Sequence, residues 1–178
     1  MSNSPRSEIR FTIGNRGDDT SLMQKLAIGT RVVLEGPFGV FTEQKRTKQH
    51  VTLIAAGIGV APIRALAESL AAEPGDITII YRTTDIADSA LLDEVQQLSL
   101  ERGHDLHVLT GQRGAEGGFM PQEASGNPEH VRLLQLSPHI LDSDIYVCGP
   151  SNWSNAVKSA LFRLRIPKHQ IHIEEFAW

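Results

Sequence analysis

From His50 to the end of the chain, short apolar runs alternate with longer stretches that carry a helical pattern of apolar residues. The apolar runs are continuous rather than alternating, which is typical of parallel strands covered by helices on both faces. A right-handed strand–helix–strand alternation of this length folds into an open, doubly wound sheet. The predicted fold class is therefore α/β, with a five-stranded parallel sheet of order 3-2-1-4-5.

The elements of this sheet follow from the apolar runs and from the helix start and stop signals. The predicted strands are His50–Ala55, Ile77–Arg82, Leu106–Thr110, Ile145–Cys148 and Gln170–Ile173. The predicted helices are Ala61–Ala72, Ser89–Arg102, Pro128–Leu136 and Asn152–Arg165. The glycine-rich stretch Gly111–Gly126 is predicted to be a surface loop.

The residues before His50 follow a different pattern. Glu8–Gly14 alternates apolar and polar side chains and Arg31–Glu35 is a second short apolar run, so both are predicted to be antiparallel strands. Two strands without further partners do not make a stable sheet. Residues 1–45 are therefore expected to be the end of a domain whose beginning is missing, and residues 46–178 a domain of their own. The polar stretch Glu43–Lys48 is expected to link the two.

Composition limits the classes of function. The chain of 178 residues has a net charge of −4 and no basic stripe, so we expect no nucleic-acid partner. Its one cysteine, Cys148, cannot form an internal disulfide, and its longest central uncharged stretch is too short to span a bilayer. These features favour a cytoplasmic protein without a membrane span of its own, although a longer parent protein can still lie at a membrane. Its 7 histidines lack partners at metal-ligand spacing, so no metal site is expected.

The strongest local signal is a glycine turn between the first predicted strand and the first helix of the sheet. Its residues are Gly57-Ile58-Gly59-Val60-Ala61-Pro62. Glycines let the backbone approach a pyrophosphate, whose charge is attracted by the free amides at a helix start. A tight strand–helix turn without a ligand is the alternative. Pro62 stands where an ordinary Rossmann dehydrogenase has a third glycine, so that class fits less well.

Three further motifs occur in a fixed order around this turn. Gly36-Pro37-Phe38-Gly39 precedes it, while Cys148-Gly149-Pro150 and Glu174-Glu175-Phe176-Ala177-Trp178 follow it. With these motifs the chain resembles the ferredoxin–NADP reductase superfamily over essentially its whole length. Within the superfamily it most resembles bacterial ferric-reductase-like oxidoreductases and the dehydrogenase domain of NADPH oxidases. The resemblance implies that residues 46–178 bind NAD(P)H and that residues 1–45 are the last strands of an antiparallel FAD-binding β-barrel.

The resemblance also implies roles for residues of the motifs. The pyrophosphate would lie on the glycine turn, at Gly57, Ile58, Gly59 and Pro62. The segment Cys148-Gly149-Pro150 would lie beside the nicotinamide, where Cys148 offers a small, polarizable group. A structural cysteine buried at a strand end is the alternative. Glu174 would lie near the flavin–nicotinamide junction, and Phe176 would stack on the flavin ring and yield to the nicotinamide. A hydrophobic tail packed on the sheet is the alternative for Phe176.

The end of the second predicted strand bears on the choice of cofactor. A carboxylate there would favour NAD, whereas cations and hydroxyls favour the 2′-phosphate of NADP. The chain has Arg82 and Thr83 at this point, and Arg113 follows the third predicted strand. NADP(H) is therefore the expected cofactor, with NAD(H) as the alternative because Asp85 follows closely.

The flavin side of the predicted site is incomplete. The helix start at Thr20 and Ser21 resembles the second flavin-phosphate element of the family, because it would present amides and hydroxyls to a pyrophosphate. Asp18 and Asp19 oppose that role, and a simply capped helix is the alternative. FAD is therefore expected in the intact parent protein, with the missing FAD-binding segment as a partner. The fragment alone is expected to lack full activity.

The resemblance implies hydride transfer from NADPH to FAD, followed by electron transfer to an acceptor that the sequence does not identify. Hydride transfer needs no general acid or base, and no acid–base pair stands out in the sequence. Two other classes stay open: a nucleotide-binding module without redox activity, and an adenosylmethionine-dependent methyltransferase of similar layout. The methyltransferase would need a carboxylate where the chain has Arg82.

Overall fold

The structure, a computed structural model, describes residues 9–15, 17–36, 39–114, 117–122 and 126–176. The chain divides into two compact units, Met1–Phe38 and Gly39–Trp178. Every strand that the described residues form belongs to the larger unit. Among these residues, no helix is long and apolar enough to cross a bilayer. They also contain no group of three or more His, Cys, Asp or Glu side chains that could hold a metal ion.

The larger unit contains a parallel sheet of five strands. The strands are β1 (His50–Ala56), β2 (Ile77–Arg82), β3 (Asp105–Leu109), β4 (Ser143–Pro150) and β5 (Ile171–Phe176). Their order is β3-β2-β1-β4-β5, so the predicted topology is confirmed. The helices are α1 (Asp18–Met23) in the smaller unit and α2 (Val60–Ser69), α3 (Leu92–Arg102), α4 (Glu129–Leu136) and α5 (Ser151–Arg163) in the larger.

Successive side chains of each strand point to opposite faces, so the sheet has two hydrophobic cores. The first core contains Leu53, Tyr81 and Cys148 together with residues of α2 and α3. The second core contains Ile54 and Val147 together with residues of α4 and α5. The inner strands β1, β2 and β4 are buried on both faces, which explains why their sequences are continuous apolar runs. The doubly wound α/β fold is confirmed.

The two strands predicted in the smaller unit are not formed. No strand is assigned to Glu8–Gly14 or Arg31–Glu35, of which Glu8 lies outside the described residues. Ile9 and Phe11 alternate with polar residues but are 74% and 60% exposed. A strand needs a hydrogen-bonded neighbour, and the described part of the chain supplies none here. The expectation that these stretches are strands is therefore wrong for the chain as it stands.

Residues 41–48, which we call the strap, are packed on the sheet, so the prediction of a linker at Glu43–Lys48 is wrong. The fully buried carboxylate of Asp144 accepts hydrogen bonds from the backbone N–H groups of Thr47 and, at 2.7 Å, of Lys48. The guanidinium of Arg46 donates to three backbone carbonyls. Polar composition suggested a linker because the partner of these residues is distant in sequence, 97 positions beyond Thr47.

The glycine-rich stretch Gly111–Gly126 was predicted to be a surface loop, but part of it is buried. Phe119 and Met120 are buried in the second core. Their backbone N–H groups both donate to the Glu129 Oε1 atom at 2.7 Å, which fixes the loop on the start of α4. The prediction rested on the glycine-rich composition of the whole stretch, and it therefore gave no weight to the two apolar residues within it.

Candidate functional site

The carboxyl ends of β1 and β4 lie side by side, with Ala55 paired to Cys148. The turn Gly57–Gly59 leads from β1 into α2, and α5 begins at Ser151 directly after β4. Within the described residues, no side-chain hydrogen bond caps the start of either helix. Free amide groups at helix starts attract anions. The helices cover opposite faces of the sheet, so this is the point at which an open α/β sheet binds ligands.

The two glycines of the turn have different surroundings. Gly57 has a φ of 53°, and a Cβ atom added to it would meet no atom within 4 Å. A Cβ atom added to Gly59 would lie 2.6 Å from the carbonyl carbon of Cys148 and would overlap its oxygen. Gly57 therefore leaves the backbone open to a ligand, as a pyrophosphate requires. Gly59 instead lets α2 pack directly on the end of β4. Ile58 and Pro62 are half-buried in the same segment.

Cys148 lies within the sheet rather than on its surface. Its side chain is 2% exposed, and β4 pairs it with Ala55 on one side and Glu174 on the other. Burial, with a smaller contribution from the Glu174 carboxylate, raises the pKa of the thiol to about 12. The thiol is therefore uncharged at neutral pH and is not a nucleophile or a base. It offers a small apolar group at the end of β4.

The described residues of the C-terminal motif, Glu174 to Phe176, extend β5 to the level of the carboxyl end of β4. Strand pairing places Glu174 beside Cys148 and Phe176 beside Pro150. Glu174 is exposed, whereas Phe176 is half-buried and packs against the first core. The geometry thus brings the tail together with the Cys-Gly-Pro segment. Trp178 lies outside the described residues.

Gly149 is required by a side chain that sequence reasoning missed. A Cβ atom at Gly149 would lie 2.6 Å from Cε3 of Trp153, which is buried in the first turn of α5. The Trp153 Nε1–H group donates to the Phe119 carbonyl at 2.9 Å, and the two ring centroids are 6.4 Å apart. The indole therefore ties the turn after β4 to the loop after β3. A tryptophan in the first turn after Cys-Gly-Pro is the signal that could have revealed this contact.

Arg82 is buried at the end of β2, and its guanidinium is bonded to backbone carbonyls. It is 5% exposed and donates to the carbonyl oxygens of Thr83 and, at 2.5 Å, of Gly111. Tyr81 belongs to the first core, so the alternation along β2 turns Arg82 toward the opposite face. Burial and, to a smaller extent, the nearby charge of Arg113 lower the pKa of Arg82.

The other two residues predicted to contact a 2′-phosphate differ in accessibility. Thr83 is buried, and its hydroxyl donates to the carbonyl of Asp85 at 2.8 Å. Arg113 is exposed in the loop after β3, where it forms an isolated bridge with Pro121. Of the predicted phosphate contacts, Arg113 is therefore the one that a ligand can reach from solvent.

Thr20 and Ser21, the predicted flavin-phosphate contacts, lie in the smaller unit. The Thr20 hydroxyl accepts from the Gly17 N–H group at 3.1 Å and donates to the Gly17 carbonyl at 3.0 Å. The Ser21 hydroxyl has two acceptors within reach of its one proton, Asn15 Oδ1 at 2.6 Å and the Gly17 carbonyl at 2.8 Å. The Thr20 hydroxyl thus bonds back to the residue before the helix, the Ser21 hydroxyl bonds within the same turn, and a contact of either with a flavin phosphate stays a prediction.

Comparison with known proteins agrees with the geometry of the larger unit. The family model described as the oxidoreductase NAD-binding domain matches residues 53–159, more than half of the chain. The chain belongs to this family. The match covers the glycine turn and the Cys-Gly-Pro segment, and it favours an oxidoreductase over the methyltransferase alternative.

Two relatives and one solved structure extend this result. The chain is 28% identical over 150 residues to the ferredoxin reductase component of 3-ketosteroid-9-alpha-monooxygenase of Mycobacterium tuberculosis, covering 84% of the chain and 39% of the relative. It is 29% identical over 171 residues to the carnitine monooxygenase reductase subunit of Escherichia coli, covering 95% and 48%. The cytochrome P450 reductase GcoB of Amycolatopsis shares its fold with a TM-score of 0.69 at 24% identity, covering 96% of this chain and 51% of GcoB.

The chain therefore spans less than half of the length of either relative. The family match, these relatives and the shared fold confirm the predicted membership of the ferredoxin–NADP reductase superfamily.

Proposed function

We propose that the chain is the NAD(P)H-binding part of an FAD-dependent oxidoreductase that moves hydride from NADPH to FAD and then electrons to an acceptor. The observation that carries this proposal is the open backbone at Gly57, beside the uncapped start of α2 and the uncharged Cys148. Both relatives described above are named as reductase components of monooxygenases, which supports the same class. When bound, the nicotinamide supplies the hydride and FAD accepts it.

The residues of this chain contribute position rather than acid–base chemistry. The amides at the starts of α2 and α5 would bind the pyrophosphate, for which the backbone of Gly57 leaves open space. Cys148 offers the nicotinamide an apolar contact that stays neutral, because its pKa lies near 12. Phe176 packs against the first core at the end of the sheet and would move aside for the nicotinamide ring. A half-buried ring can do this at a modest cost in packing.

The pyrophosphate contact is tested by replacing Gly57 with a residue that tolerates positive φ. Gly57→Asn keeps the backbone conformation and fills the open space with a side chain, so binding of NADPH and NADH should weaken by about tenfold or more. Gly75→Asn is the matched control, because Gly75 also has a positive φ (87°) and open space around it. Gly75 precedes β2 and therefore lies at the opposite ends of the strands from the site. Isothermal titration and thermal unfolding compare the two. Normal binding by a folded Gly57→Asn protein would contradict the proposal.

We further propose that NADPH binds more tightly than NADH, with Arg113 as the main contact to the 2′-phosphate. Arg113 lies close enough to lower the pKa of Arg82, and among the described residues no carboxylate pairs with either guanidinium. A bound phosphate would relieve this repulsion. Arg113→Ala should reduce the NADPH to NADH affinity ratio by about tenfold to a hundredfold, whereas exposed Arg102→Ala should not. Equal affinities in the wild type would refute the preference without touching the Gly57 site.

FAD is proposed to lie in a segment that completes the smaller unit. The exposed, alternating Ile9, Phe11 and Ile13 match one face of a strand that still needs neighbours. The intact parent should therefore show the visible absorption of a flavin, and NADPH should bleach it anaerobically. A flavin-free parent that binds NADPH would favour the nucleotide-binding module without redox activity. A ferric-reductase-like acceptor stays a prediction, tested by NADPH-dependent reduction of ferric chelates.

A further inference from the structure

The last two turns of α5 and the strand β5 enclose a groove of about 380 Å³. We call this the β5 groove, and its lining residues are Lys158, Phe162, Lys168, Ile171 and Ile173. Ile171 and Ile173 are half-buried and belong to the second core, whereas Phe162 is 39% exposed. The floor of the groove is therefore apolar and reachable from solvent.

The groove lies along an open edge of the sheet. β5 is the last strand in the order and pairs only with β4 among the strands of the described residues. The outward N–H and C=O groups of an edge strand can accept a further strand. Proteins often block such edges with charged side chains, and here Glu174 and Glu175 occupy the end of β5 near the nucleotide site. The first half of the strand, Ile171–Ile173, carries no acidic or basic side chain except His172.

The charged side chains that line the groove, Lys158 and Lys168, are both basic, and the acidic residues of β5 lie beyond its lining. The Lys158 ammonium lies 6.0 Å from the centroid of the Phe162 ring, within range of a cation–π contact. Lys168 lies in the short 3₁₀ turn that precedes β5, and it is exposed. No carboxylate is among the described residues that line the groove. The complementary ligand is therefore an apolar side chain flanked by carboxylates.

We propose that the β5 groove binds an extended acidic segment of a protein partner, which adds to β5 as an outer strand. In such a strand every second side chain faces the groove. One aliphatic side chain packs on Phe162 and Ile173, and acidic side chains that flank it meet Lys158 and Lys168, which line the same groove. The outward backbone groups of β5 supply the hydrogen bonds, as in other cases of strand addition.

A second copy of the chain fits the groove less well. Two copies joined by this face would bring the lysines of both grooves to one seam, without an acidic lining residue to offset them. The groove is also separate from the nucleotide site, because it involves the C-terminal half of α5 whereas the site involves its first turn. Binding at the two places can therefore be measured independently.

The test uses a fluorescein-labelled peptide in which one valine is flanked at every second position by aspartate, with threonine between. A control peptide carries lysine in place of aspartate. Fluorescence anisotropy should show that the chain binds the acidic peptide roughly tenfold more tightly than the basic one. Hydrogen exchange should show added protection of β5 amides, which strand addition requires and binding through side chains alone does not.

Two charge-reversal variants make the test specific. Lys158→Glu/Lys168→Glu should lose roughly tenfold in affinity for the acidic peptide and gain affinity for the basic one. Lys25→Glu/Lys45→Glu changes the net charge equally at exposed lysines elsewhere and should leave both affinities unchanged. NADPH affinity should be the same in all proteins. Equal binding of the two peptides, an equal loss in both variants, or a dimer that Lys158→Glu/Lys168→Glu dissociates would each overturn the proposal.

Discussion

Gly57 and Gly59 are separated by one residue, yet a side chain would have opposite consequences at the two positions. At Gly59 an added Cβ atom would overlap the backbone of β4, which cannot move without shifting the sheet. We expect Gly59→Ala to lower the free energy of unfolding by about 3 kcal/mol through overpacking against backbone atoms. Gly57→Ala meets no neighbour and should cost only about 1 kcal/mol for its positive φ. Urea denaturation of both variants checks this, and equal losses would contradict the close approach of α2 to β4.

At Cys148 the structure predicts an unreactive thiol. The side chain is 2% exposed and its pKa is raised to about 12, so the folded protein holds almost no thiolate near neutral pH. Alkylation by iodoacetamide at about pH 8 should be at least roughly tenfold slower in the folded protein than in urea. The free thiol of glutathione serves as the reference for the intrinsic rate. Fast alkylation under native conditions would show that the end of β4 is open.

Arg82 shows that residue type alone does not determine where a side chain points or what it contacts. Its position after an apolar run identified the end of β2 correctly, and a cation at that place suggested a phosphate contact. Strand alternation instead turns its side chain away from the first core. On the opposite face the guanidinium donates to the Thr83 and Gly111 carbonyls. This direction could have been derived once Tyr81 was assigned to a core. The carbonyl partners could not, because Gly111 is contributed by the loop after β3.

At the scale of elements, the strap depends on one buried carboxylate. Asp144 accepts from two backbone N–H groups of the strap and lies 3.5 Å from the His172 Nε2 atom. Both N–H groups donate to the same oxygen, Oδ2, so Asp144→Asn can keep both hydrogen bonds but removes the negative charge that strengthens them, and we expect a loss of about 2 kcal/mol in the free energy of unfolding. Hydrogen exchange at Thr47 and Lys48 should accelerate. The control Asp142→Asn removes an exposed pair with Lys48 and should change neither measurement.

The contact between α2 and the end of α3 predicts a dependence on pH. His104 is buried, its Nε2 atom lies 3.3 Å from the Ala67 carbonyl, and its Nδ1 atom has no hydrogen-bond partner among the described residues. Burial is the main reason that the pKa of His104 is lowered from 6.5. The unfolded chain therefore binds the proton more readily, so the contribution of His104 to stability is present above pH 6.5 and is lost as the pH falls.

His104→Gln keeps a donor for the Ala67 carbonyl but does not titrate. Between about pH 7.5 and about pH 5, the wild type should lose more of its free energy of unfolding than His104→Gln does. Urea denaturation at both pH values measures the difference, and His169→Gln, at an exposed position, is the control. If both variants follow the wild type, the imidazole of His104 is not buried in solution.

At the scale of the whole molecule, local sequence patterns predicted the strands of the larger unit correctly and those of the smaller unit wrongly. The strand order follows from apolar runs and the handedness of crossovers, both of which are readable over a few tens of residues. Arg31–Glu35 has the composition of a strand but lacks a neighbour, and pairing is a non-local property. The predictions for the strap and for the loop at Phe119 were wrong for the same reason, since the partners Asp144 and Trp153 are distant in sequence. The glycine turn located the candidate site from the sequence. The different roles of Gly57, which leaves space for a ligand, and Gly59, which lets α2 approach β4, depend on neighbours that are distant in sequence.

The larger unit should fold and bind nucleotide without the smaller one. Both hydrophobic cores consist of residues from Phe41 onward, and the glycine turn, Cys148 and Phe176 all lie in the same unit. A chain shortened to residues 39–178 should therefore keep the urea midpoint and the NADPH affinity of the full chain. A chain shortened to residues 50–178 lacks the strap and therefore the two amide groups that bond the Asp144 carboxylate.

The shorter chain should thus lose about 3 kcal/mol or more in the free energy of unfolding. Its NADPH affinity should change little at a temperature where it is still folded, because the strap contacts the start of β4 and the site lies at its end. Should residues 39–178 unfold as readily as residues 50–178, the larger unit would depend on Met1–Phe38, and the division of the chain into two units would not describe its folding.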